Sequence, residues 1–255
     1  MANDVLSFWN SRAGLGKWAG TNDIIAKQIE MKAIMSYVKD GMNILDIGCG
    51  NGITAIEIAR KYHVTVLGMD YAEEMIANAR ELTKGQDLMG SVKFEVGDVM
   101  ALSNFAEPDF THKFDMIYTE RTIVNLPDWK AQKQAIIDIV GLLKEGGKFV
   151  MCENSQDGLD AINVLRLSVG LPSIIHPWHN RYLYDAEIKK IKEVQLLDIN
   201  YYSSTYYFLS RVVNAWQSAQ EGKEPEYEAP INKLALQLPP INKMGQGRIW
   251  VWTQK

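Results

Sequence analysis

The sequence predicts an α/β fold: a Rossmann-like, doubly wound sheet with helical lid insertions at one end. Three observations predict it. Short apolar runs of strand length alternate with helix-periodic segments between residues 44 and 153, the first run ends in a cluster of glycines, and a last apolar run, Arg248-Ile249-Trp250-Val251-Trp252, closes the chain. Strands alternating with helices at this spacing form a parallel sheet covered on both faces, because each parallel pair needs a crossover connection.

Taken in order, the chain starts with a helical segment. Ile24, Ile25, Ile29, Ile34, Met35 and Val38 recur near helical spacing, Thr21-Asn22-Asp23 offers N-caps, and Gly14, Gly16 and Gly20 break the stretch before them. Strands are predicted at 44–47, 64–70, 92–96, 114–118 and 148–153, and helices follow the first, second and fourth at 53–59, 72–82 and 129–143. Gly146-Gly147 ends the last of these helices. Beyond residue 153 the rhythm changes: helical spacing at 159–167, a loop rich in Pro, His and Trp at 171–184, a helix at 185–195, a strand near 197–202, helices at 205–217 and 231–238 around a polar loop, and the closing strand. The two insertions each begin at a strand end. In open α/β sheets ligands bind beyond the carboxyl ends of the strands, so the insertions are expected to form the lid and substrate site.

The chain of 255 residues is 47% hydrophobic and 23% charged, ordinary values for a globular protein. It reads as one domain: a helical lid at 1–40, a ligand-binding core at 41–153, substrate-side insertions at 154–184 and 203–247, and a closing strand at 248–253. A net charge of −4 and the lack of a long Lys/Arg block speak against nucleic acid as the main partner. Cys49 falls in a loop and Cys152 in a buried strand, so no disulfide is expected. The amino terminus lacks a signal-peptide pattern, and no apolar stretch approaches the ~20 residues that cross a bilayer. A cytoplasmic protein is expected, with a small-molecule partner, no membrane association, and self-association as a homodimer left open.

The strongest chemical signal is Asp46-Ile47-Gly48-Cys49-Gly50-Asn51-Gly52, where a strand runs into three glycines and then a helix. Glycine permits the tight turn and lets a ligand approach the backbone. The spacing is G-x-G-x-G, not the dinucleotide G-x-G-x-x-G. Asp46 would repel a pyrophosphate and attract a ligand that carries an amine and a sulfonium. Asp70 ends the second strand about 20 residues further on, where a carboxylate can accept both hydroxyls of a ribose. At the end of the third strand, Asp98 can accept from an adenine amino group, and Val99 offers its backbone and an apolar wall. Each acid alone could merely cap the following helix; the three signals in order point to a nucleoside site.

On these residues the sequence resembles the class I S-adenosylmethionine-dependent methyltransferases, over about residues 40–153 and the closing strand. The resemblance implies a seven-stranded sheet with its last strand antiparallel. It also implies S-adenosyl-L-methionine as cofactor, with contacts at Asp46, Gly48, Gly50, Asp70 and Asp98 and with Tyr71 and Met75 flanking the adenine. Cys49, between two of the glycines, is counted with them. The segment 142–147 is similar to the family's turn into the fifth strand. The fourth strand ends at Glu120-Arg121, followed by Asn125-Leu126, and in the family this end lies beside the reactive methyl group. The Asn/Asp-Pro-Pro-aromatic motif frequent in enzymes that methylate amide or base nitrogens is absent here.

Methyl transfer is an in-line displacement, and the protein's main task is to hold donor and acceptor aligned and dry. A hydroxyl acceptor needs a base; an ionised acid oxygen needs cationic partners instead. His176 and His179 are the base candidates, or else are ordinary loop histidines packed by Trp178 and Tyr182; Pro177 argues against a helical His-x-x-His metal site, and no metal is expected. Glu120 and Arg121, at the reactive strand end, are candidate catalytic residues. Arg121, Arg181 and Arg211 are candidates for an anion pocket, and Tyr206, in the cluster 201–207, suits a sugar or nucleotide if it is not core. The stretch from Phe8 to Trp18 is expected to fold over the cofactor, with Arg12 meeting the methionine carboxylate.

A narrower resemblance links Glu120-Arg121 with Asn125-Leu126, Trp178-His179-Asn180 and 203–207 to methyltransferases of bacterial surface-polysaccharide pathways, including those that make the O-methyl phosphoramidate capsule decoration. It implies an O-methyltransferase acting on a small, polar, phosphorylated or sugar- or nucleotide-linked acceptor, with Arg121, Asn125, Trp178, Asn180, Arg181, Tyr206 and Arg211 binding it. The alternatives are an N-methyltransferase on a small amine, whose pocket should be acidic or aromatic, a nicotinamide-dependent oxidoreductase, disfavoured by the glycine spacing, and a non-catalytic scaffold that keeps the fold.

Overall fold

The computed structural model describes residues 2–104 and 114–255; the side chain of Trp18, the end of the predicted lid, lies outside the described set. Among the described residues seven strands form one sheet: β1 (Asn43–Ile47), β2 (Thr65–Asp70), β3 (Ser91–Val96), β4 (Phe114–Glu120), β5 (Leu143–Asn154), β6 (Gln195–Asn200) and β7 (Gly247–Thr253), in the order β3-β2-β1-β4-β5-β7-β6. The pairs among β1 to β5 are parallel, and β7 runs antiparallel to both β5 and β6. This is the class I methyltransferase fold, with the reversed strand where the resemblance implied it.

The period-2 alternation of the strands explains the two cores. Ile44, Met116, Tyr118, Val150, Cys152, Ile249 and Val251 face one side, against α2 (Ile24–Met35), α3 (Ile53–Lys61) and α4 (Glu73–Thr83). Leu45, Ile47, Ile117, Phe149, Met151, Trp250 and Trp252 face the other, against α5 (Trp129–Gly141), α6 (Gln156–Ser168) and α7 (Asp185–Ile188). Trp250 and Trp252 are fully buried. Each such ring removes roughly 150–250 Å² from water, on the order of 4–6 kcal/mol as an upper bound. That outweighs the ~1–3 kcal/mol cost of an indole N–H left without a partner, the condition of both Nε1 atoms among the described residues.

Helix starts follow their caps. The Asp23 side chain accepts from the Ala26 amide at 3.0 Å, Asp128 from Ala131 at 2.8 Å and Ser155 from Gly158 at 3.2 Å. The first helix, α1 (Ala2–Arg12), continues into a 3-10 turn, Ala13–Trp18, broken at Gly16.

The second half corrects several boundaries. The helix expected at 185–195 ends at Ile188: Ile188, Ile191 and Val194 are buried at intervals of three, a spacing that a turn satisfies as well as a helix, and β6 starts at Gln195 rather than near 197. The helix 129–143 stops at Gly141, and Leu143 pairs with Phe114 at the start of β5 before the register shifts. The helix expected at 205–217 is α8 (Ser204–Phe208) and α9 (Ala215–Gln220), joined by a wider π-helical stretch, Leu209–Asn214. The last helix, expected at 231–238, is α10 (Pro230–Lys233) and one 3-10 turn. The 174–182 loop and α8 meet the carboxyl ends of β1, β2 and β4 around one cavity, so that edge is where the site forms.

Candidate active site

A cavity of about 910 Å³ opens beyond those strand ends. One half is the glycine turn. Gly48 and Gly50 hold φ of 73° and 52°, and the amides of Gly48 and Cys49 both donate to the Met69 carbonyl, at 2.7 and 3.0 Å. A Cβ on Gly48 would lie 2.0 Å from Thr122 Oγ1, whereas one on Gly50 would meet nothing within 4 Å. The turn is thus tight on the β4 side and open where a ligand would approach.

Asp70 spends one oxygen on the Gly50 amide (2.8 Å) and the other on the Ala72 amide (2.9 Å). It therefore ties the turn to the start of α4, and the Tyr71 amide adds a third backbone hydrogen bond to the same carboxylate. Asp98 Oδ1 accepts from the Met100 amide at 2.8 Å, a local cap, and the residue stays at the cavity rim with Val99. Tyr71 also lines this half; burial and then the charges of Asp70 and Asp98 push its hydroxyl up to about 12. Met75 packs beneath the lid with Leu6, Trp9, Ala13 and Ala19.

Asp46 lies on the inner face of β1, in register with Tyr118 of β4. Tyr118 Oη donates to Asp46 Oδ2 at 2.6 Å, while the buried Oδ1 has no partner among the described residues. Burial, assisted by Glu120 and Asp70 and opposed by the Tyr118 hydrogen bond, raises its carboxyl to about 8. The orphan oxygen beside an open glycine cradle fits the cationic methionine end of S-adenosylmethionine. The lid covers that end: Asn51 Nδ2 donates to the carbonyls of Gly16 (2.6 Å) and Ala13 (3.3 Å), and Arg12 Nε donates to the Ala19 carbonyl at 2.5 Å, its guanidinium 5.6 Å from the Phe8 ring.

The other half is built from β4, α2, the 174–182 loop and α8. Glu120 Oε2 accepts from Thr54 at 2.7 Å, and Oε1 takes the ammonium of Lys27 and, at 3.1 Å, the guanidinium of Arg121. These cations hold the Glu120 carboxyl far below the usual range, overcoming its burial. Arg121 has φ of 58°, a costly backbone for a residue with a Cβ, and its buried Nε has no partner among the described residues. Glu153 fixes this turn: its carboxylate accepts from the amides of Thr122, Ile123 and Val124 at 2.9, 3.0 and 3.2 Å. Burial nevertheless raises its carboxyl to about 7.

His179 sits among aromatic rings from both covering elements: Phe8 at 4.5 Å, Trp178 at 5.3 Å and Trp9 at 5.7 Å. Its buried Nδ1 has no partner among the described residues, and burial, with the charge of Arg12, lowers its pKa below the usual imidazole value. His176 is a correction. It does not line the cavity; its ring stacks 5.1 Å from Tyr182, and Nδ1 lies 3.0 Å from the Pro177 carbonyl. Arg181 does line the cavity, and its guanidinium is held there by Glu187 (2.7 and 3.0 Å) and Gln132 (2.8 Å), which anchors the loop. Asn180 Nδ2 donates to Asn125 Oδ1 at 3.2 Å, and Asn125 Nδ2 to the Arg121 carbonyl at 2.6 Å, joining loop to strand end. Trp178 is mostly exposed at the cavity mouth.

Arg211, on the π-helical stretch, donates to Asp23 at 2.9 Å and lies 5.0, 5.5 and 5.9 Å from the rings of Tyr227, Tyr207 and Tyr206. Tyr206 Oη donates to the other Asp23 oxygen at 2.5 Å. Arg121, Arg211 and Tyr182 all line the same cavity. Lys27, Glu30 and the site role of Asp23 escaped the sequence reading. Glu30 and Lys27 carry no motif, and Asp23 read only as a helix cap. No cluster of three or more potential metal ligands occurs among the described residues, and no helix described is long and apolar enough to cross a membrane.

Residues 38–198 match the sequence profile of the methyltransferase domain family, and the chain belongs to it. Its core is an S-adenosylmethionine-dependent methyltransferase domain. The chain is 28% identical to the 27-O-demethylrifamycin SV methyltransferase of Amycolatopsis mediterranei over 56% of its own length and 51% of that protein. It is 35% identical to phosphoethanolamine N-methyltransferase 1 of Arabidopsis thaliana over 46% of its length and 22% of that protein. The chain spans about half the length of the first curated relatives it matches. A Haloferax volcanii methyltransferase, solved in complex with the Trm112 methyltransferase activator, shares the fold with a TM-score of 0.64 and 18% identity, over 96% of this chain and 97% of that one.

Proposed function

We propose that this protein methylates an oxygen of a small, polar, anionic acceptor, phosphorylated or linked to a sugar or nucleotide. The carrying observation is the cavity in which the glycine turn and Asp70 are continuous with a chamber lined by both Arg121 and Arg211. Closure by α1 and the 174–182 loop favours a small molecule over a macromolecule. Acceptors of this chemistry occur in the surface-polysaccharide pathways that the narrower sequence resemblance suggested.

When bound, S-adenosylmethionine supplies an activated methyl group on a sulfonium. Gly48, Gly50 and Asp70 cradle its nucleoside, Asp46 and Arg12 meet the amine and carboxylate of its methionine, and the lid aromatics keep water out. An acid oxygen held by Arg121 needs no base. A hydroxyl does, and His179, which lines the cavity and whose pKa is depressed by burial and the charge of Arg12, would take its proton.

The test has two stages. Calorimetry with S-adenosylhomocysteine and with NAD should show binding of the first alone; no binding of either would leave a scaffold. A screen of phosphorylated, sugar and amine acceptors, with transferred methyl detected by mass, should then find products among the anionic oxygen acceptors. Products among amines alone would overturn the proposal.

A further inference from the structure

One turn joins the two halves of the cavity, and the side chain that holds it lies outside the cavity lining. Residues 121–125, after β4, supply Arg121, Thr122 and Asn125 to that lining. Thr122 Oγ1 donates to the Ile47 carbonyl at 2.9 Å, and its side chain fills the space that a Cβ on Gly48 would need, so the turn rests against the glycine cradle. On the other side Arg121 reaches Glu120 at 3.1 Å, Glu30 at 3.4 Å and the Gly20 carbonyl at 3.2 Å. Arg121 does this from a φ of 58°, in the left-handed region that a residue with a Cβ keeps only where its surroundings impose it.

Glu153, on β5, imposes it. The Arg121 amide makes the last bond between the strands, to the Cys152 carbonyl at 2.9 Å. The next three amides, of Thr122, Ile123 and Val124, all donate to the Glu153 carboxylate, at 2.9, 3.0 and 3.2 Å. They sit at the start of the short 3-10 turn Ile123–Asn125, where amides lack acceptors within the turn itself. A carboxylate suits three donors, because its two oxygens offer about four lone-pair sites; a side-chain amide offers one oxygen and turns an NH2 group toward an N–H. Glu153 is only 1% exposed and pairs with no cation among the described residues, so these amides are what holds its charge.

We propose that Glu153 is a positioning residue for methyl transfer: by holding three successive amides it fixes the turn that presents Arg121 and Asn125 to the acceptor side of the cavity. The inference rests on the reading above in which Arg121 holds the acceptor. The donor side has ties of its own, since the Met69 carbonyl takes the amides of Gly48 and Cys49 and Asp70 takes that of Gly50. Removing the Glu153 carboxylate therefore loosens the acceptor side and spares the donor side.

The test uses the full chain at pH 8, above the value of about 7 to which burial raises Glu153. Glu153→Gln should bind S-adenosylhomocysteine within about threefold of wild type, as expected of sites with separate ties. With that ligand saturating, its affinity for sulfate, the probe of the acceptor side, should fall by about tenfold, the scale of one lost charge-assisted hydrogen bond. Hydrogen exchange of the Thr122, Ile123 and Val124 amides should quicken by about tenfold or more, while exchange in β1 stays as in wild type. Equal losses for both ligands would make Glu153 a fold-stabilising residue only and overturn the proposal, as would unchanged sulfate affinity or unchanged exchange at those amides. Should the variant fail to fold, Glu153→Asp, whose shorter stem cannot reach all of these amides, is judged by the same outcomes. Sulfate that fails to bind wild type removes the anionic-acceptor reading instead. The split is then read as kcat/KM for the acceptor found in the screen, against cofactor affinity, and an unchanged kcat/KM overturns the proposal.

Discussion

The Tyr118 hydroxyl donates to one oxygen of Asp46 across neighbouring strands, 2.6 Å apart, and leaves the other oxygen buried and unpaired among the described residues. Burial raises that carboxyl to about 8, so it must lose its proton to meet a cation.

Cofactor binding should therefore release a proton. Asp46 titrates at about 8 in the free protein, so below that pH the proton must leave before the amine of the cofactor is paired. Affinity for S-adenosylhomocysteine should rise about tenfold per pH unit up to 8 and then level, following proton linkage. Calorimetry in buffers of different ionisation enthalpy measures the released proton directly. A flat profile from pH 6 to 8 would mean that Asp46 does not meet the charged amine.

Asp70→Ala should weaken cofactor binding by about 1–3 kcal/mol, the usual loss for charge-assisted hydrogen bonds. The same side chain also holds the Gly50 and Ala72 amides, so a loss of melting temperature should accompany it. Unchanged affinity in a folded variant would remove Asp70 from the ribose.

His179→Ala should lower turnover more than cofactor affinity, because the residue lines the chamber while its ring packs against Phe8 and Trp9. The variant His179→Phe keeps the stacking against Phe8, 4.5 Å away, and separates the two roles. Normal turnover in His179→Phe would leave the histidine a packing residue only.

Stability of the free protein should decline as pH rises from 5 to 8. Glu30 and Asp46 are raised to about 8 and Glu153 to about 7, so the folded chain holds more protons than the unfolded chain across that window. A state that binds more protons loses stability as protons become scarce. Glu120, shifted the other way, acts only below its usual range and does not offset this. Melting temperatures across the window check the direction, and Glu153→Gln should flatten the slope while lowering stability, since its amide presents one acceptor oxygen to three backbone donors.

The core of the fold was legible because its signals are local. Strand periodicity, the glycine turn after Asp46 and the acids at the ends of β2 and β3 are each written within a few residues, and each depends on backbone conformation or on adjacency along one strand. The insertions were read less well for the same reason. The spacing of Ile188, Ile191 and Val194 suits a helix or a turn alike, and only packing against the sheet chose the turn.

From the amino-acid order alone came the α/β sheet, the glycine turn with its flanking acids, and the resemblance to the family. What the order could not show is the acceptor chamber. Lys27 meets Glu120 across 93 residues, and Arg211 meets Asp23 across 188. A Glu or Lys on an amphipathic helix has no local mark that separates a solvent-facing side chain from one turned into a cavity. Only the docking of α2 and α8 over the end of β4 buried those charges together and left His176 outside the cavity that His179 and Arg121 line.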